Sequence, residues 1–407
     1  MVEEDLHPVF VKNSDLEHLK VRLFSEFPLS FPGGGERLIK LIYNHISNSK
    51  IAAEIIENTN KENPLSTKTQ NVDHNIIKLK FKRYGFIKFL FQDFPPLDII
   101  STDQNTVSLI FLRRVPPRPV LRKMHQSSSK VVFCLHGIAL EKLRITHPFI
   151  IAHQVIMRIK LRDLAKYTKN HIFIQSLLPS LTSYLTSKGA DSNNIFTIEN
   201  EFESDDTFPK RNDEEFQVSF IGRMEDLQKG IKRLKKVIHY VANFKRNIKF
   251  NIVGTGKDSE ILNGLGRNVK ILSGIDDENK NNIISRSNLA LVTSNLEPYS
   301  LVVLEFLTSG VPVVATPASG PSYILSKDKL FGTISSFSPR LLARTILDYH
   351  EEQTERTSFV KLANSKKDLE EYIIDFLTNV RNRNSEIIIK EKLLHTLSNL
   401  KVLLSDS

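Results

Sequence analysis

From Gln217 onward, short apolar and β-branched runs alternate with amphipathic stretches, an alternation that fits a parallel sheet covered by helices on both faces. Residues 217–221, 249–253, 269–272, 289–293, 312–316 and 331–334 read as strands. Helical spacing falls between them, at 231–244, 258–265, 278–287 and 300–309. Right-handed crossovers make such a sheet doubly wound. The first half follows the same grammar less cleanly. Residues 20–23, 50–56, 97–101, 130–136, 170–174 and 195–198 read as strands, with helices expected after Gly35, near Thr106 and near Leu178. The fold class expected is therefore α/β, with two Rossmann-like doubly wound domains. A length of 407 residues agrees, since single cores stop growing at about 250–300 residues. The divisions expected are 1–205, 206–365 and a helical tail, 366–407. Residues 199–215, acidic and containing Ser, Asp and Pro, read as the linker, and the polar residues 57–77 read as a surface loop.

Composition narrows the classes. Hydrophobic residues at 40% and charged residues at 25% belong to an ordinary folded protein. The longest apolar runs, such as 301–307 and 130–135, fall far short of the ~20 residues of a membrane span. Glu3, Glu4 and Asp5 stand where a secretory signal would be basic and then apolar, and Cys134 is the single cysteine, which excludes an internal disulfide and a thiolate metal cluster. A cytoplasmic protein is expected. A net charge of +10 directs attention to anionic partners without choosing among them.

The chemistry concentrates in EPYSLVVLEFLTSGVPVVAT, residues 297–316. A strand ends, a loop carries Glu297, and a helix opens near Ser300. Ligands of open parallel sheets sit beyond the carboxyl ends of the strands, where the free amides of Ser300, Leu301 and Val302 would face an anion such as a diphosphate. Glu305 lies four residues past Leu301, on the same helix face and about 6 Å further along the axis. One carboxylate can accept from sugar hydroxyls and the other from a ribose. Little polar face surrounds Glu305 between Val303, Leu304, Phe306 and Leu307, which argues against a merely solvated residue. FIGRMEDLQKGIKRL, residues 220–234, repeats the pattern of strand end, loop and helix start, here with cations. Fixed cations and a helix N-terminus can stabilise an anionic group such as a diphosphate without a metal. The chain contains no Asp-x-Asp pair, so no metal ligands are expected.

Taken together, these elements resemble the retaining family 4 glycosyltransferases (glycosyl transferases group 1) of the GT-B fold. The Glu-x7-Glu element is matched by Glu297 and Glu305, continuing through Gly310, Pro312 and Val313. The family's Gly-Arg and Lys-Gly pairs, which hold the donor diphosphate, are matched by Gly222, Arg223, Lys229 and Gly230. The resemblance further implies a nucleoside pocket near residues 253–256 and 272–275, with Gly274 and Ile275 at the base. It also implies a glycine-rich loop, residues 31–42, whose Gly34 and Gly35 face donor and acceptor, and a cleft-lining His136. Residues 198–202 resemble the family's Pro-Asn-Gly junction. Ser300 departs from the pattern, standing where the family has glycine, and an acidic residue usual after the later glycines is missing from 319–325. What the resemblance implies is an acceptor-binding first domain, a nucleotide-sugar-binding second domain and a tail crossing back to the first. The expected activity is hexosyl transfer with retention from a nucleotide-diphosphate sugar, a co-substrate and not a cofactor. Catalytic roles are expected for Glu297, His136, Arg223 and Lys229, with a glycan or lipid-linked molecule as acceptor. A sugar-nucleotide epimerase of similar fold and a non-catalytic partner protein are the alternatives.

Residues 78–91, KLKFKRYGFIKFLF, interleave cations with aromatics. A strand pair with a solvated basic face and a docking site for an anionic membrane are read as equals, with nucleic acid behind both. Residues 385–404 carry Ile389, Leu393, Leu397, Leu400 and Leu404 at helical spacing, suited to packing on the body or on another subunit.

Overall fold

A computed structural model describes residues 19–29, 34–48, 51–59, 76–84, 92–100, 105–127, 130–141, 148–168, 171–200, 215–244 and 247–352. The first sheet is built from β1 (Lys20–Ser25), β2 (Ala52–Asn58), β3 (Ile76–Leu79), β6 (Thr106–Phe111), β7 (Lys130–Cys134), β8 (Ile172–Ser176) and β9 (Ile195–Thr197). Its order is β3-β2-β1-β6-β7-β8-β9, parallel throughout. The second sheet uses β10 (Phe216–Ile221), β11 (Ile248–Val253), β12 (Val269–Leu272), β13 (Leu289–Val292), β14 (Val313–Ala315) and β15 (Gly332–Ile334). Its order is β12-β11-β10-β13-β14-β15, also parallel. Both sheets reverse direction beside their first strand, at β1/β6 and at β10/β13. These are the topological switch points where doubly wound folds bind ligands.

Helices cover the sheets because their apolar residues recur at helical spacing. In α6 (Ile231–Phe244), Ile231, Leu234, Val237, Ile238 and Val241 are buried while the lysines face outward. That face packs with Leu342, Ala343 and Ile346 of α10 (Pro339–Glu352) on one side of β10, β11 and β13. Val303, Phe306 and Leu307 of α8 (Leu301–Thr308) cover the other side with Ala290, Val292, Val313 and Ala315. Leu177 and Leu178, from the first half, join that second cluster, so apolar packing continues between the two sheets.

Several expectations are corrected here. The segment at Thr106 is the strand β6, not a helix: all six residues of TVSLIF are buried, pinned between β1 and β7, and a strand covered on both faces shows no alternation. Residues 97–100 form a turn instead of a strand, because Pro95 and Pro96 precede them and the Ile99 amide closes on the Pro96 carbonyl at 3.2 Å. The stretch 258–265 contains only a short 3₁₀ turn, Ser259–Leu262. The ends of the presumed loop 57–77 belong to β2 and β3. Among the described residues, α2 (Arg118–Gln126), α3 (Pro148–Tyr167), the short α5 (Asp226–Lys229), α9 (Ser319–Leu325) and α10 were not anticipated as helices.

Within the basic aromatic stretch, β4 (Lys82–Tyr84) pairs antiparallel with β5 (Gln92–Phe94). Lys78, Lys80 and Lys82 are exposed, whereas Phe81 is buried in the core with Phe94. Residues 85–91, most of the linker (201–214) and the segment 353–407 lie outside the described residues.

Candidate active site

Beyond β10 the chain passes Gly222 and Arg223 and turns through α5 (Asp226–Lys229) into Gly230 and α6. Gly230 has φ 68, and a Cβ there would lie 2.3 Å from the Thr293 carbonyl oxygen, so this turn admits only glycine. The close approach sews the turn to the exit of β13. Thr293 Oγ1 donates to the Lys229 carbonyl at 2.7 Å, the Asn295 amide donates to Gln228 O at 2.7 Å, and Arg233 Nη1 reaches Thr293 O at 2.7 Å. This stitching brings together two side chains 68 residues apart: Lys229 Nζ forms an ion pair with Glu297. Both are largely buried, at 13% and 9% side-chain exposure, so the pair is shielded from the bulk solvent that weakens surface ion pairs. Ser294 Oγ donates a second hydrogen bond to Glu297 at 2.9 Å.

Ser300 follows, at φ 84 and ψ 78, and is the only non-glycine residue with positive φ among the described residues. It caps α8, and its buried hydroxyl has no hydrogen-bond partner. Leu301 and Val302, half-buried, are the first residues of α8, whose first-turn amides have no intrahelical acceptors. Glu305, deeper in the same helix, is 6% exposed and pairs with Lys280 at 3.1 Å. Lys280 belongs to α7 (Asp277–Arg286), which begins just past Gly274 and Ile275 at the end of β12. Gly274 is exposed with open space where a side chain would stand, and Ile275 is half-buried.

The structure thus gathers Lys229, Glu297, Ser300, Leu301, Val302 and Glu305 along the carboxyl ends of the second sheet. Arg223 is at the same sheet end, but its side chain is 44% exposed and turned onto Gln228, at 3.1 Å, and Glu225, at 3.7 Å. Gly222 lies against Lys229, since a Cβ there would be 3.5 Å from Lys229 Cε.

The first sheet contributes its own switch point. Gly34 and Gly35 open α1 (Gly34–Asn48), followed by Glu36, which pairs with Arg113 at 2.7 Å. The Arg113 guanidinium also stacks on the Phe27 ring at 3.8 Å. His136 follows β7. Gln175 donates through its Nε2 to the Ile198 carbonyl at 3.2 Å, leaving its Oε1 to accept from His136 Nε2 at 2.6 Å. That assignment puts the proton on Nε2 and leaves His136 Nδ1, buried and unpartnered, as an acceptor. Burial holds the imidazole down at about 4, against an ordinary 6.5, while the Gln175 hydrogen bond acts in the opposite direction. His136 is therefore neutral near pH 7. Cys134 is buried and its thiol pushed up by burial, which makes it an inert core residue.

Two carboxylates that the sequence reading did not single out join the halves. Glu199 accepts from Tyr299 Oη at 2.7 Å, from Tyr323 Oη and from Lys327 Nζ at 2.6 Å. Burial would raise its pKa, but the Lys327 charge and these hydrogen bonds prevail and lower it. Glu141 is 2% exposed and accepts from the amides of Glu297 and Ser319. No local signal marks either residue. The carboxylate partners named here lie at least a hundred positions away.

Two doubly wound parallel sheets, joined in this order, have the GT-B fold. Residues 201–368 match the family described as glycosyl transferases group 1. It is 26% identical over 113 residues to a phosphatidyl-myo-inositol mannosyltransferase from Propionibacterium freudenreichii subsp. shermanii, a match spanning 28% of each chain. It is also 26% identical over 252 residues to the lipopolysaccharide 1,6-galactosyltransferase of Escherichia coli K12, covering 56% of this chain and 68% of that one. Among solved structures, Anabaena HepE in complex with UDP and glucose superposes with a TM-score of 0.61 at 16% identity, over 94% of this chain and all of that one.

Proposed function

We propose that the chain transfers a sugar from a nucleotide-diphosphate sugar to an acceptor hydroxyl, retaining the anomeric configuration and requiring no metal. The observation that carries this reading is the buried Lys229–Glu297 pair beside the start of α8 at the second switch point. Lys229 and the first-turn amides of α8 meet the diphosphate, and Arg223 swings from its exposed position to add a second cation. These fixed charges stabilise the departing nucleoside diphosphate. Glu297, released from Lys229 as the donor enters, accepts from sugar hydroxyls. Glu305 accepts from the ribose, and the loop with Gly274 and Ile275 borders the base. His136 is neutral, and its Nδ1, buried here, would accept from a sugar hydroxyl only once a local opening uncovers it.

The acceptor binds to the first domain and is a glycan or a membrane-borne lipid-linked molecule. The names of the mannosyl- and galactosyltransferase relatives support that class. Exposed Lys78, Lys80 and Lys82 would contribute about 1 kcal/mol each near an acidic bilayer. No helix among the described residues is long and apolar enough to cross a membrane. The test is product analysis over a panel of nucleotide-sugars with extracted lipid acceptors, presented in acidic or neutral vesicles. Transfer with a retained anomer, faster on acidic vesicles and unaffected by chelation, is expected. Epimerised donor without transfer, or no turnover of any donor, would overturn the reading.

A further inference from the structure

Glu141 ends the described part of the segment that leaves β7, and it belongs to the first sheet's side of the molecule. Its backbone is held from behind by α3. The Glu141 amide donates to Gln154 Oε1 at 3.0 Å, Gln154 Nε2 donates to Ala139 O at 3.1 Å, and Arg158 Nη2 donates to Glu141 O at 2.7 Å. Gln154 is fully buried, so this support is a packed element, not a surface contact. In front, the carboxylate crosses to the second domain. Oε1 accepts from the Glu297 amide at 3.2 Å, and both oxygens accept from the Ser319 amide at 3.0 Å. Ser319 Oγ reaches the neighbouring Leu140 carbonyl at 3.3 Å.

The two amides that meet at Glu141 belong to segments in direct backbone contact. The Gly320 amide donates to Glu297 O at 2.9 Å, and a Cβ on Gly320 would lie 2.2 Å from Tyr299 O. Any displacement of α9 therefore moves the loop that carries Glu297. Each amide adds a charge-assisted hydrogen bond to a buried carboxylate, so Glu141 favours the arrangement that brings both to it.

We propose that Glu141 is a positioning residue: it sets the height and angle of the Glu297 loop from the opposite domain, so the sugar-facing carboxylate is in place only when the two domains meet. This rests on the glycosyl-transfer reading for its effect on turnover, and on the hydrogen bonds alone for its effect on the loop. The donor's diphosphate, ribose and base are left to Lys229, Arg223, α8 and the loop with Gly274 and Ile275, none of which Glu141 touches in the hydrogen bonds described. Loss of Glu141 therefore acts on kcat and spares donor KM.

The experiment uses the full chain, with Glu141→Ala, Glu141→Gln and Ser319→Pro. Proline at 319 deletes the donor amide and suits the first position of a helix; Ala318 before it is already extended, at φ −77 and ψ 153. Amide hydrogen exchange should quicken at 297 and 319 in Glu141→Ala, and at 297 in Ser319→Pro, with the sheets unchanged. A loop displaced by about 1 Å loses roughly ten- to hundredfold in rate, so Glu141→Ala and Ser319→Pro should lower kcat by that factor with donor KM within about twofold. Glu141→Gln, which keeps one acceptor oxygen, should fall between them and wild type. Unchanged exchange at 297, or wild-type kcat in both Glu141→Ala and Ser319→Pro, would overturn the proposal. A wild-type chain that turns over no nucleotide-sugar would instead overturn the glycosyl-transfer reading, with the exchange result still deciding the positioning role.

Discussion

At the second switch point Lys229 meets Glu297, and at the first Arg113 meets Glu36; the strand order around the two pairs is the same. The surroundings differ. Arg113 is fixed twice, by the carboxylate and by stacking on Phe27, and a planar guanidinium so held has one useful orientation. Lys229 presents a compact charge on a flexible stem, with Gly222 beside it and the start of α8 nearby. In the proposed reaction its partner is exchanged for an incoming anion. One winding thus delivers a fixed wall and an exchangeable charge, and the residues, not the fold, decide which.

The largest expected effect separates the two pairs directly. Lys229→Ala should weaken binding of the cognate nucleotide-sugar by roughly tenfold to over a hundredfold, the worth of a charge-assisted hydrogen bond of about 1.5–3 kcal/mol. Arg113→Ala should leave that affinity within about twofold and lower the thermal midpoint by a few degrees. Calorimetry and thermal melts decide it, and equal losses of affinity would erase the distinction.

Within the second domain, the two carboxylates refine the comparison. Each pairs with a lysine, but Glu297 lies on a loop and Glu305 is buried in α8. Glu297→Gln should lower kcat by about tenfold or more, whereas Glu305→Gln should chiefly raise donor KM, by a similar or smaller factor. Full kinetics in which both variants change the same constant would refute the separate roles. The smallest effect concerns Ser300. Its left-handed backbone costs about 1–2 kcal/mol, so Ser300→Gly should raise stability by up to that amount in denaturant titration. A loss of stability would show that the seryl side chain makes a compensating contact.

Legibility in the sequence divides along the same line. The second sheet was readable strand by strand, because its strands alternate with helices of clear spacing such as Ile231–Phe244. The first sheet was harder. Thr106–Phe111 is buried on both faces and loses its period, and Pro148–Tyr167 buries the polar Gln154 among its apolar residues. Glu297 and Lys229 stood out because each lies at a strand end before a helix start. Glu141 and Glu199 did not, since their importance comes from partners supplied by the second half of the chain, and no local pattern encodes a contact over a hundred residues or more. Arg223 was legible as a cation, but not as one lying outward.

The placement of β10 has a consequence for synthesis. It is the inner strand of its sheet, yet one neighbour, β13, begins only at Leu289. At roughly 5–20 residues per second, the ribosome needs several seconds to pass from Ile221 to Leu289. Through that interval Val218 and Phe220, both buried in the finished fold, belong to a strand with one edge open. Nascent chains held at this length would be the ones most in need of a chaperone.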